Sequence, residues 1–137
     1  MSQRELVNPP ELHPAPGFSH VAIAAGTKVV HIAGQVALDQ EFGIVGGDDL
    51  SEQTKAAMRN VDLALKAAGA TWDDVVRRTI YTLHPTEFAA ITAAIDEVTG
   101  GAEHPAQTIV GITGLAVSGL LIEIECTAVI AGRSAID

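Results

Sequence analysis

The segment LLIEIECTAVIAG, residues 120–132, constrains the fold more than any other stretch of the chain. Ile122, Ile124, Cys126, Ala128 and Ile130 recur with period two, the mark of a β-strand with one apolar face to bury. The opposite face then carries Leu121, Glu123, Glu125, Thr127 and Val129. Two carboxylates side by side repel each other and resist burial. Yet Leu121, Val129 and Ala131 are odd company for a wholly wet surface. Two readings stay open: a solvated sheet face, or a face partly covered by another subunit.

A strand with one apolar face needs a second layer to cover it, and two amphipathic segments can supply that layer. Between Ser51, a suitable N-cap, and Gly69, a suitable stop, Thr54, Ala57, Val61, Ala64, Leu65 and Ala68 recur at helical spacing. A second helix is predicted from Pro85 to Val98, with Phe88, Ile91, Ile95 and Val98 on one face and Gly100-Gly101 ending it. Further strands are predicted at Phe18–Ala24 and Lys28–Ala33, joined as a hairpin at Gly26-Thr27, and around Val75–Leu83 and Gln107–Ile112. Residues 1–17 hold Pro9, Pro10, Pro14 and Pro16 and read as an extended arm. The order β-β-α-β-α-β-β describes an α+β domain with two helices on one face of a mixed sheet.

The 137 residues fit one domain, 1–137, and 47% hydrophobic residues can build a core, but only 4% are aromatic. Ala and Gly must therefore fill much of the interior. A net charge of −9 argues against a nucleic-acid partner, since phosphate binding needs clustered cations. Arg77-Arg78 is the only basic pair, and it lies in a strand-like run. No apolar leader or stretch of membrane-spanning length stands out, so a cytoplasmic protein is expected. Cys126 is the sole cysteine and falls on the apolar strand face, which excludes an internal disulfide and suggests an inert thiol. The five histidines show no metal-ligand spacing, and no metal site is expected. Phosphate-cradling and nucleophile-elbow motifs are absent.

Four segments together resemble the RidA (YjgF) family: AGQVALD at 33–39, GIVGGDD at 43–49, EQTKAAMRNVDLALKAAGATWDDVV at 52–76 and HPAQTIVGITGLAVSGLLIEIE at 104–125. Each is weak alone; in this order they are specific. The resemblance implies a chorismate-mutase-like α+β fold, assembled as a homotrimer whose sheets form a central barrel, with small-molecule clefts between subunits. In deaminating members a glutamate on the last strand orients the water that attacks a 2-imino acid, and an arginine holds the substrate carboxylate. No cofactor is implied, because the imine carbon is already electrophilic.

By this resemblance Glu123 takes the place of the water-orienting glutamate, and Gly34-Gln35 matches the family's Gly-Gln turn. Gln107 stands at the arginine position, Phe18 where a tyrosine is usual, Ala33 in place of a serine, and Thr92 in place of an asparagine. A neutral amide cannot form the bidentate clamp of a guanidinium, a loss of about 100-fold in carboxylate binding. These departures argue against ordinary 2-aminoacrylate deamination. The implied function is hydrolysis of imines, enamines or related C–N compounds, with Glu123 catalytic and Gln107, Phe18, Ala33, Gly34 and Thr92 binding substrate. The alternative is a non-catalytic ligand-binding or chaperone-like trimer. An endoribonuclease, as some relatives are labelled, ranks last because the chain lacks a basic stripe.

Overall fold

The computed structural model describes residues 4–130, in the order β1 (Arg4–Val7), β2 (Val21–Ala24), β3 (Lys28–Val36), α1 (Leu50–Ala67), β4 (Val75–Thr82), α2 (Phe88–Thr99), β5 (Ala106–Gly111) and β6 (Ile122–Ile130). A short 3₁₀ turn at Trp72–Asp74 leads into β4. Ala131, expected on the mixed face of the last strand, lies outside the described residues.

The main sheet has the order β3-β6-β4-β5, with β6 antiparallel to both neighbours and β4 parallel to β5. Its inner face follows the alternation of β6: Ile122, Ile124 and Ala128 are fully buried and Cys126 nearly so. Met58, Val61 and Leu65 of α1 and Ile91 and Ile95 of α2 join the same core cluster, so both helices cover one face. This is the α+β layering that the pattern demands. Ala57, Ala70, Ala94 and Ala128 are nearly or fully buried, so small residues share the interior with aliphatic ones.

Two local expectations are corrected. The cap of α1 is Asp49, whose carboxylate accepts from the Glu52 backbone N–H, rather than Ser51. The β2–β3 hairpin does not form: β2 pairs with β1 from the proline-rich arm, and β3 pairs with β6. Two-residue hairpin turns require a left-handed first residue, and Gly26 is not in that region. A Cβ on Gly26 would lie 2.4 Å from the Ile130 carbonyl oxygen, so this glycine serves the approach of the chain to β6.

The arm is docked. Arg4 donates to the carbonyls of Val75 and Glu103, and its guanidinium lies 3.9 Å from Asp73. Farther along, Ser19 bonds the Pro105 carbonyl through its N–H and the His104 carbonyl through its hydroxyl, at 2.9 and 2.7 Å. These bonds hold Phe18 beside the start of β5.

Candidate functional site

The residues singled out in the sequence fall into two groups on opposite faces of the sheet. On the outer face, Tyr81 of β4 pairs with Glu123 of β6, and Thr79 pairs with Glu125. On the inner face, Arg78 of β4 pairs with Cys126 on one side and Gln107 of β5 on the other. Because side chains alternate along a strand, Glu123 and Gln107 project to different sides. One chain brings Ala33, Gly34 and Glu123 together, and separately Phe18, Thr92 and Gln107. It does not unite the two groups.

The outer group is built on a β-bulge. Ile32 pairs with Cys126 and Gln35 with Ile124, so Ala33 and Gly34 together oppose Glu125 alone. The bulge brings the Gly34 backbone under Glu123, and a Cβ there would lie 2.1 Å from Glu123 Oε2. Only a residue without a side chain fits this approach. The Gln35 side chain donates to the Ala33 carbonyl at 3.0 Å and braces the bulge.

The two carboxylates of β6 have unequal surroundings. Glu125 accepts a hydrogen bond from the Tyr81 hydroxyl. That bond, more than partial burial, pushes the Tyr81 hydroxyl pKa above its ordinary value, so it stays a donor. The Glu123 carboxylate accepts no hydrogen bond from any described residue. It is half-buried on the outer face, where Val29 is 61% exposed. A half-exposed carboxylate with unused lone pairs can orient a water or take a proton.

The inner group lines a pocket of about 400 Å³ between the arm, the start of α2 and β5. Pro14, Pro16, Phe18, Pro85, Phe88 and Ile109 make its walls largely apolar, and Thr92 and Gln107 supply polar groups. Phe88, expected on the core face of its helix, is instead 48% exposed and forms a wall. His13 also lines the pocket, and its ring meets that of His20 edge-on at a centroid distance of 4.7 Å.

Behind Gln107 lies Arg78, which is 3% exposed. Its Nε donates to Gln107 Oε1, and one terminal nitrogen donates to the Gly17 carbonyl at 3.2 Å and to His104 Nδ1 at 3.0 Å. Burial pulls the Arg78 pKa down to about 10, which still leaves a cation at neutral pH. Since a guanidinium only donates, His104 Nδ1 must be the bare nitrogen and Nε2 carries the proton toward Asp96, 3.0 Å away. Burial first, and the Arg78 charge second, hold the His104 pKa below its ordinary value. The sequence reading missed this network. Its signal was the Arg77-Arg78 pair itself, because in a strand one member of such a pair must face inward.

Among the described residues no group of three or more His, Cys, Asp or Glu side chains is placed to hold a metal. Nor is any described helix long and apolar enough to cross a membrane.

The layered sheet, with a bulge under Glu123 on one face and a pocket at Gln107 on the other, is an α+β fold of a defined class, and comparison with known proteins gives its family. Residues 9–130 match the family model described as Endoribonuclease L-PSP. The chain belongs to this family, also known as RidA or YjgF. It is 32% identical over 118 residues to a RutC family protein of Synechocystis, covering 85% of this chain and 90% of that one. It is 30% identical over 104 residues to the 2-iminobutanoate/2-iminopropanoate deaminase of Salmonella typhimurium, covering 74% of this chain and 80% of the enzyme. The crystal structure of the Rid-family protein YyfB from Yersinia pestis superposes with a TM-score of 0.87 at 40% identity, covering 93% of this chain and 99% of YyfB.

Proposed function

We propose that the protein is a cofactor-independent hydrolase of small imines, enamines or related C–N compounds, working in clefts between the subunits of a homotrimer. The observation that carries this reading is the difference between the paired carboxylates: Tyr81 occupies Glu125, while Glu123 sits over a glycine bulge with its lone pairs unused. In the proposed reaction Glu123 orients a water toward the electrophilic imine carbon and takes its proton as the C–O bond forms. The C=N π bond opens onto nitrogen, which receives that proton to give a carbinolamine. A second proton, from the carbinolamine hydroxyl, then passes through Glu123 to nitrogen as the C=O bond forms and the C–N bond breaks, releasing ammonia and leaving a carbonyl product.

The homotrimer supplies what one chain lacks. Glu123 and Gln107 face opposite sides of the sheet, so a shared site needs the outer face of one subunit against the Gln107 edge of another. Arg78 is buried behind Gln107, which leaves Arg77 as the exposed member of the basic pair, and Arg77 donates to Thr108. That arrangement, with the net charge of −9, disfavours RNA as a substrate.

The second reading, a ligand-binding trimer without catalysis, draws support from Gln107, which offers an amide where the deaminases have a guanidinium. One experiment separates the two. The protein is incubated with 2-imino acids generated in place by an amino-acid oxidase, and ammonia release is followed. Native activity that is lost in Glu123→Ala supports hydrolysis. Activity in Gln107→Arg alone means that the cleft is retained for another substrate. If both are inert and Glu123→Ala leaves ligand binding unchanged, the catalytic reading is refuted. A monomeric mass in solution at micromolar concentration would refute the shared cleft.

A further inference from the structure

Gln107 stands between a buried cation and a pocket, and that position fixes its chemistry. An amide at a surface can turn either end outward. Here the choice is forced, because Arg78 Nε has only a proton to offer and Gln107 must present Oε1 to it. The Gln107 amino group therefore points away from Arg78, and it donates to no described residue. Gln107 lines the pocket, so these two N–H groups are available to a ligand there.

The remaining walls decide what kind of acceptor fits. Phe18, Phe88, Pro14, Pro16, Pro85 and Ile109 suit a flat apolar body and offer no charge to a carboxylate, and the remaining wall residue, His13, spends its Nδ1 proton on the Pro14 carbonyl at 2.7 Å. Arg78 is buried behind Gln107 and does not line the pocket, and its Nε and one terminal nitrogen are held by Gln107, Gly17 and His104. An anion in this pocket would lose its hydration without meeting a guanidinium directly. A neutral carbonyl loses less and needs only one or two donors, which the Gln107 amide and the Thr92 hydroxyl provide.

We infer that Arg78 is a positioning residue that locks the Gln107 amide with its amino group toward the pocket, and that the pocket takes ligands joining an apolar or aromatic body to a neutral carbonyl. This rests on the proposed reading only in taking the pocket as a ligand site; it is independent of hydrolysis at Glu123.

Two probes of nearly equal shape test it: acetophenone, a neutral acceptor, and benzoate, its anionic counterpart. Binding to the full chain is measured by ligand-observed NMR titration. Acetophenone should bind at least about tenfold more tightly than benzoate, one donor contact in a desolvated pocket being worth about that factor. Gln107→Glu keeps the side-chain size and can ion-pair with Arg78, so it should fold, but it removes both donors. It should weaken acetophenone about tenfold without lowering the melting temperature. The role of Arg78 is read from the Gln107 side-chain amide signals. Arg78→Met should shift and broaden them and weaken acetophenone, while Arg78→Lys, still a pure donor, should largely restore both. Equal or tighter binding of benzoate, no binding of either probe, or full acetophenone affinity in Gln107→Glu would each overturn the inference. Ammonia release and its dependence on Glu123 are scored separately, so a failure here leaves the hydrolase reading standing, and the reverse.

Discussion

Replacing Gly34 with alanine tests whether the bulge exists to seat Glu123. The added Cβ would lie 2.1 Å from Glu123 Oε2, 2.6 Å from Cδ and 2.7 Å from Cγ. Ordinary contacts begin near 3.4 Å, so the carboxylate must move by more than 1 Å. What stands in the way is the end of a flexible side chain, and Gly34 is not in the left-handed region, so the backbone itself can accept alanine. The structural cost is therefore the displacement of one side chain, about 1 kcal/mol. For a domain of this size that corresponds to a fall of roughly 4 °C in melting temperature. The context decides the sign. In a Glu123→Ala background the obstruction is gone, and Gly34→Ala should be neutral or stabilising by about 0.5 kcal/mol, because alanine restricts the unfolded chain. The assay is a double-mutant cycle by thermal and urea unfolding at fixed protein concentration, which keeps any association equilibrium constant. Gly34→Ala alone should also reduce any Glu123-dependent ammonia release to the level of Glu123→Ala. Equal destabilisation in both backgrounds would refute the reasoning, since the glycine would then answer to the backbone and not to Glu123.

Three further outcomes follow from the same structure. The His104 pKa is held below its ordinary value near 6.5, so below that pH the unfolded chain binds a proton that the folded chain resists. Stability is therefore complete above that value and is lost as pH falls through it toward the folded pKa; the melting temperature should drop between pH 7.5 and 5.5, with a shallower slope in His104→Gln. Burial pushes the Cys126 thiol up to about 12, so iodoacetamide at pH 8 should leave the native protein unmodified and label it promptly in 6 M guanidinium chloride. Ile124→Ala empties a fully buried site between the sheet and its helices and should cost about 2–5 kcal/mol by urea unfolding, with no selective effect on ligand binding.

Much of the inner architecture was legible in the sequence, because it depends on short-range periodicity. The alternation of β6 names its buried face residue by residue, and the helical spacing of Ala57, Val61 and Leu65 names the face of α1 that meets it. The misread cap shows the limit of such patterns: Asp49 and Ser51 are both good capping residues, and only the backbone at the start of α1 chooses between them. The hairpin failed for a longer-range reason. Val21–Ala24 and Lys28–Val36 are both good strands, but the first pairs with β1, the strand before it in the arm, and the second pairs with β6 at the far end of the described residues.

By itself the sequence determined the class of fold, the two helices, the odd pair of carboxylates and, through the order of its segments, the family. It also marked Gln107 as the position where an expected cation is missing. Only the tertiary structure decided what stands there instead. The parallel register of β4 and β5 sets Arg78 beside Gln107, 29 residues apart in the chain, and no local pattern encodes that register. The bulge opposite Glu125 likewise arises between strands about 90 residues apart, and it singles out Glu123 from its neighbour. Periodicity tells which face a side chain takes. Which groups meet across that face is settled by the pairing of strands, and here that pairing puts Glu123 and Gln107 on opposite sides of one sheet.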